Sequence, residues 1–159
     1  MSLLEKNNLI NILRNIDFTK INLLGICLGM QLLLENSEED GFCDGLGLIK
    51  GSVEKIKLND NDKKNNLKIP NIGWHGLKKK SASWNNTILQ DLKVEENCYF
   101  VHSYYTKIKN ESECLAFIDY GSSKLPATIK KNKIYGCQFH PEKSGEVGLN
   151  IINNFLKLE

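Results

Sequence analysis

The sequence predicts an α/β domain built on a mixed sheet, and three stretches predict it. Asn22–Leu33 carries an apolar run into Gly25-Ile26-Cys27-Leu28-Gly29 and out into a helical apolar pattern, the order strand, tight turn, helix. The middle of the chain holds β-branched and aromatic runs at Cys98–Tyr104, Cys114–Tyr120, Ala127–Lys130 and Ile134–Phe139. The last of these leads into a C-terminal helical pattern, Gly145–Leu158, with Val147, Leu149, Ile151, Ile152, Phe155 and Leu156 apolar. A βα start, a β-rich middle and a strand–helix return give a sheet with helices packed on it. The 159 residues fit a single domain, 1–159.

Taken in order, Ser2-Leu3-Leu4-Glu5 fits a capping box, and apolar residues through Ile16 predict a helix over 3–15. Leu23–Ile26 is a continuous apolar strand, and the helix after the turn runs from Leu28 to about Asn36. Ser37–Gly41 reads as an acidic loop, and Gly45–Gly51 as a bend before a strand marked by Val53, Ile56 and Leu58. Asn59–Asn66 has no apolar residue and reads as a solvated hairpin loop. Leu67–Ile72 reads as a strand broken or placed at an edge by Pro70, and Gly73–Gly76 as a turn carrying Trp74. Lys78-Lys79-Lys80 reads as a solvated face and 85–92 as a short helix.

Composition excludes several classes. Twenty-one basic against 19 acidic residues leave a net charge of +2, and Arg14 is the sole arginine, so neither nucleic acid nor a membrane surface is expected as partner. The five cysteines, Cys27, Cys43, Cys98, Cys114 and Cys137, are odd in number and form no C-x-x-C pair. A disulfide framework or metal site is not expected, and a reducing cytoplasm suits free thiols. No run approaches the roughly 20 apolar residues of a membrane span.

Chemistry concentrates in two blocks. Small residues two before and two after Cys27 suit a nucleophile elbow, a strained turn that lifts its central side chain out of the sheet. A helix N-terminus there favours the thiolate, which predicts Cys27 as the most reactive of the five thiols. The same pattern also suits a buried small hydrophobe in a βα turn. The second block is Gly136-Cys137-Gln138-Phe139-His140-Pro141-Glu142-Lys143-Ser144. Residues i and i+2 of an extended chain face one way, and Pro141 keeps His140 extended, so Glu142 can reach its imidazole. Cys27, His140 and Glu142 are the parts of a thiol triad; a turn histidine bonded for structure is the plainer alternative. His102, with no acid within two positions, reads as a satisfied core histidine, and His75 stays open between the two readings.

Gly25–Leu33 together with Gly136–Ser144 resembles the class I (triad) glutamine amidotransferases, and among them the glutaminase subunits of imidazole glycerol phosphate synthases. Asp44–Gly51, Ile69–Trp74, Tyr99–Tyr104 and the closing helix agree in the same order. The resemblance implies a flavodoxin-like mixed sheet and hydrolysis of glutamine to glutamate and ammonia, without a cofactor. It implies Cys27 as nucleophile, His140 as base and then acid, Glu142 as its orienter and Leu28 at the oxyanion hole. Gln31 and Glu39 would hold the amino-acid end of glutamine, beside the backbone of Ser103 and Tyr104. The ammonia would pass to a synthase (cyclase) subunit in a heterodimer, with Pro70–Trp74 and Lys143-Ser144 around its exit. The family usually carries His and Asn where this chain has Asn71 and His75, near the face presented to that partner. It also begins with strands and a glycine-rich oxyanion loop, and this chain starts about where that loop would end. The resemblance therefore implies a fold lacking its first strands, with an exposed edge at Leu23–Ile26. Two alternatives stand beside the synthase subunit: a paralogue feeding another aminating partner, such as one acting on a surface sugar, and a non-catalytic remnant that only binds a partner.

Overall fold

The computed structural model describes residues 1–39, 41–81 and 83–158. The elements follow in order as α1 (Ser2–Lys6), α2 (Leu9–Arg14), β1 (Leu23–Ile26), α3 (Leu28–Leu32), β2 (Asn36–Ser37), β3 (Cys43–Asp44), β4 (Gly51–Lys55) and α4 (Asp60–Lys64). They continue as β5 (Asn71–Gly76), β6 (Lys78–Lys79), β7 (Asn97–His102), β8 (Tyr104–Ile108), β9 (Cys114–Tyr120), β10 (Ser123–Lys131), β11 (Ile134–Cys137) and α5 (Gly145–Leu156). One sheet has the order β1-β11-β10-β9-β6, a second β3-β2-β4-β8, and β5 pairs with β7 in a third. The strands thus divide into three sheets where the sequence suggested one. The mixed character holds, because β1 runs parallel to β11 and β2 parallel to β4 while the other pairs are antiparallel.

β11 is buried throughout, and half-buried β1 beside it packs Leu23 against one core and Leu24 against the other, which accounts for its apolar letters. Along β11, Ile134 joins one core, with Met30, Leu33, Leu34, Ile49, Val53 and Ile129. Tyr135 and Cys137 join the other, with Leu77, Phe100, Ile118, Phe139 and Ile151. That alternation is the two-residue period of a strand. Gly136 falls on the first face, where an added Cβ would lie 2.6 Å from Met30 Cγ, so its lack of a side chain admits α3 against the sheet.

Several elements differ from expectation for local reasons. The N-terminal helix is broken at Asn8, which adopts φ 56°, and Asn7 and Asn15 turn their side-chain amides back onto Leu3 O and Asn11 O. Asparagine competes for the helix backbone in this way. Met1, not Ser2, is the N-cap, without a side-chain bond. The capping box lies instead in the expected hairpin loop: Asn59 Oδ1 accepts from Asp62 N and Asp62 Oδ2 from Asn59 N, starting α4. The expected turn Gly73–Gly76 is strand, in register with β7 from Asn71↔His102 to Gly76↔Asn97. Lys78 and Lys79 form a short edge strand on β9. The expected helix over 85–92 is a series of turns, with Asn86 and Asp91 at positive φ. Strand β8 follows directly after β7 at Ser103, which the sequence reading left out. Within the loop of 37–41, Ser37 ends β2, and Asp40 lies outside the described residues. No helix of the described residues is long and apolar enough to cross a membrane.

Candidate active site

Strand β1 ends where α3 begins, and Cys27 is the hinge. Its φ of 50° and ψ of −106° put a non-glycine residue in a strained backbone region. The turn closes tightly: a Cβ on Gly25 would lie 2.6 Å from the carbonyl carbon and oxygen of Gly29. At Gly29 itself an added Cβ would meet nothing within 4 Å, so only the first of the two small positions is sterically required.

The parallel pairing brings the second block alongside. Ile26 is in register with Cys137, and Cys27 N donates to Cys137 O at 2.7 Å. Three residues further on, His140 N donates to Tyr99 O, and Ser144 Oγ donates to His140 O at 2.7 Å while accepting from Tyr99 N. These bonds fix the loop that carries the imidazole. His140 Nδ1 lies 2.7 Å from Glu142 Oε1. With Nδ1–H given to that carboxylate, Nε2 keeps a lone pair able to take a proton. Val101 O at 3.9 Å, Gln138 Nε2 at 3.8 Å and the Leu28 N–H face the thiol, and His140 is not among its hydrogen-bond partners.

Burial pushes the Cys27 thiol up, the Leu28 N–H pulls it down, and the charges of Glu39 and Glu142 push it up again. The expected depression is therefore reversed: α3 has only five residues, and desolvation outweighs its terminus. Cys43 is exposed, whereas burial lifts Cys98 to about 12, Cys114 to about 11 and Cys137 well above the usual value.

A cleft of about 600 Å³ opens at the elbow, lined by Cys27, Leu28, Gln31, Glu39 and Val101–Tyr104, with Cys43 at its side. Four positions expected to hold a substrate, Gln31, Glu39, Ser103 and Tyr104, thus share one cavity with Cys27 and Leu28. His140 and Glu142 are not in its lining. The charge of Glu142 pushes the Cys27 thiol up. Gln31 is buried, its Nε2 facing Tyr104 O at 3.2 Å and Gln138 Oε1 at 3.3 Å. The Ser103 carbonyl is occupied by Ile56 N.

Sequence assigns Gln138 no role and places Ser144 only at the ammonia exit. Gln138, fully buried, touches both Gln31 and Cys27, and Ser144, also buried, ties the His140 loop to β7. A polar letter in an otherwise apolar run, two before His140, was the available signal for Gln138. Asn71 is 1% exposed, on the inward side of β5, while its neighbours Ile72 and Trp74 are exposed. His102 is buried and hydrogen-bonded, as a core histidine should be, and it also lines the cleft.

A family model described as glutamine amidotransferase class-I matches residues 4–158. The imidazole glycerol phosphate synthase subunit HisH of Bacillus subtilis (strain 168) is 47% identical over 137 residues, 86% of this chain and 61% of that protein. The same subunit of Bacillus thuringiensis (strain Al Hakam) is 44% identical over 159 residues, 98% of this chain and 68% of that protein. The chain thus spans about three-fifths to two-thirds of the length of these relatives. A solved glutamine amidotransferase shares the fold, with a TM-score of 0.68 and 18% identity over 99% of this chain and 71% of that one.

Proposed function

Because this chain belongs to the class-I glutamine amidotransferase family, we propose that its cleft hydrolyses the side-chain amide of glutamine to glutamate and ammonia. Gln31 and Glu39 hold the amino-acid end, beside Ser103 and Tyr104, and the carboxamide lies against Cys27. The thiol proton passes to His140 Nε2 as sulfur adds to the amide carbon. Leu28 N–H, already directed at the sulfur, meets the developing oxyanion. The imidazolium, steadied by Glu142, returns its proton to the departing ammonia. Water activated by the same histidine then cleaves the thioester and frees glutamate.

The observation that carries this reading is the strained Cys27 elbow held by parallel pairing beside the strand that delivers the His140–Glu142 pair. The ammonia goes to a synthase partner in a heterodimer, as the names of the relatives suggest, in a reducing cytoplasm that keeps the thiol free. Glutamate release from glutamine, with and without a cyclase partner, tests it: the wild type releases glutamate and Cys27→Ala does not. The thiol's contacts with Val101 and Gln138, and not His140, favour one other reading, a chain that binds a partner without turnover. Absence of glutamate release from a folded, partner-bound wild type would establish that alternative.

A further inference from the structure

A run of buried and partly buried hydrogen bonds leads from β5 to the cleft. His75 Nε2 lies 2.7 Å from Asn71 Oδ1, Asn71 Nδ2 lies 3.0 Å from His102 Nε2, and His102 Nδ1 lies 2.8 Å from Tyr104 O. The same carbonyl accepts from Gln31 Nε2 on the cleft side. The direction of every bond follows from the last one. A carbonyl only accepts, so His102 Nδ1 carries the proton. Neutral His102 then offers a lone pair at Nε2, which accepts from Asn71 Nδ2. Asn71 Oδ1 is left to face His75 and accepts from its Nε2–H. Burial favours the neutral form throughout, holding His102 down to about 4 and lowering His75.

The strut has a consequence at its cleft end. Two donors occupy the Tyr104 carbonyl, and a Gln31 amide turned the other way would set oxygen against oxygen. Nε2 is committed to Tyr104 O and Gln138 Oε1, so Oε1 is the Gln31 side-chain atom without a protein partner among the described residues. A bare amide oxygen in a cleft favours a substrate that brings an N–H donor, best of all a charged one.

We propose that Asn71, His75 and His102 are positioning residues that fix the Tyr104 carbonyl, and through it the Gln31 amide, so that the cleft selects a substrate with an ammonium group at that end. This rests on the glutaminase reading above. The roles are indirect, so the expected signature is in KM for substrates that carry the ammonium.

The test compares glutamine with glutaramate, the same amide without the ammonium, as substrate or competitive inhibitor. His102→Leu raises KM for glutamine about tenfold with a smaller change in kcat, and leaves the constant for glutaramate unmoved. His102→Asn, whose side-chain amide can still donate to Tyr104 O, recovers most of the loss. Nitrogen-15 NMR of the wild type finds His102 as the neutral Nδ1–H tautomer at neutral pH. Equal shifts for both substrates, no shift for either, or an Nε2–H tautomer would overturn the proposal, and the tautomer decides if His102→Leu does not fold. A wild type that releases no glutamate removes the glutaminase reading itself, and is distinguished by failing before any variant is compared.

Discussion

Two demands compete at Cys27. As the proposed nucleophile the sulfur must face an incoming amide, yet it sits partly buried against Val101 and Gln138, and burial lifts its pKa. In the proposed mechanism burial therefore disfavours an ion pair formed in advance, and the proton leaves as His140 takes it. Labelling with iodoacetamide checks this. Near neutral pH, exposed Cys43 is alkylated first, Cys27 more slowly, and buried Cys98, Cys114 and Cys137 last. Because the thiolate is the reactive form and its pKa is raised, Cys27 labelling keeps climbing beyond about pH 9. Faster labelling of Cys27 than of Cys43 at neutral pH would contradict the order. Glu142 gives a second prediction. Its carboxylate holds the Nδ1–H tautomer at 2.7 Å, and Gln in its place can donate to Nδ1 and turn the ring to the wrong tautomer. The carboxylate side chain is 47% exposed, so water softens the loss. Glu142→Gln should lower kcat about ten- to a hundredfold with little change in KM.

Among the elements, three glycines around α3 separate packing from pattern. Gly25→Ala drives a Cβ into the Gly29 backbone at 2.6 Å, and backbone cannot rotate aside. Gly136→Ala meets chiefly the flexible Met30 side chain, and Gly29→Ala meets nothing. Overpacking costs about 1–3 kcal/mol, so thermal denaturation should rank Gly25→Ala lowest, Gly136→Ala next and Gly29→Ala near wild type. Only Gly25→Ala should also displace Cys27 and cut glutamate release sharply. Helix α4 carries a pH prediction. Asp62 is buried, which alone raises its pKa, but bonds from Ser122 Oγ, Asn59 N and Ser122 N outweigh that and the net shift is downward. A folded pKa below the unfolded one contributes stability above the unfolded value, about pH 4, and loses it as pH falls through the folded value. Asp62→Ala should thus lower Tm at pH 7, and by progressively less as pH falls below about 4; a drop that does not change with pH would remove the carboxylate's role. These elements also show where sequence is legible. α5 was readable because its apolar letters repeat at the helical period, and β1 and β9 because each is a short apolar run bounded by polar residues. α4 was not, because a helix of polar residues held by one capping box and one buried aspartate has no apolar period to read. Gly73–Gly76 looked like a turn from its glycines, yet cross-strand pairing such as Trp74 against Tyr99 made it strand.

For the whole molecule, the site was legible where function sits in side chains of distinctive chemistry. The Cys27 turn and the His140–Glu142 pair could be read because each lies in a short motif with its own local logic, and the contacts of Gln138 and Ser144 could not because their partners come from distant segments. The Tyr104 carbonyl has no letter at all. The same view of the assembled chain decides between two readings of Trp74. It is 55% exposed and Ile72 60%, both on the outward side of β5, so Trp74 does not cap the core. Its ring meets Tyr99 edge-on at 5.8 Å, and Tyr99 O is the acceptor for His140 N. An apolar surface patch therefore stands one residue away from the loop that carries His140, the proposed base. Large aromatics at the centre of an interface contribute disproportionately to binding, and a partner seated on Trp74 would press on Tyr99 and so on the His140 loop. The expected outcome follows from this placement. Trp74→Ala should leave Tm within about 2 °C of wild type, because little buried area is lost. Binding to a cyclase partner should weaken by about tenfold or more, and any rise in glutamate release caused by that partner should vanish with it. Calorimetric titration with the cyclase and a melting curve of the variant give both readings. A large fall in Tm would return Trp74 to a structural role, and unchanged affinity would move the partner surface away from β5.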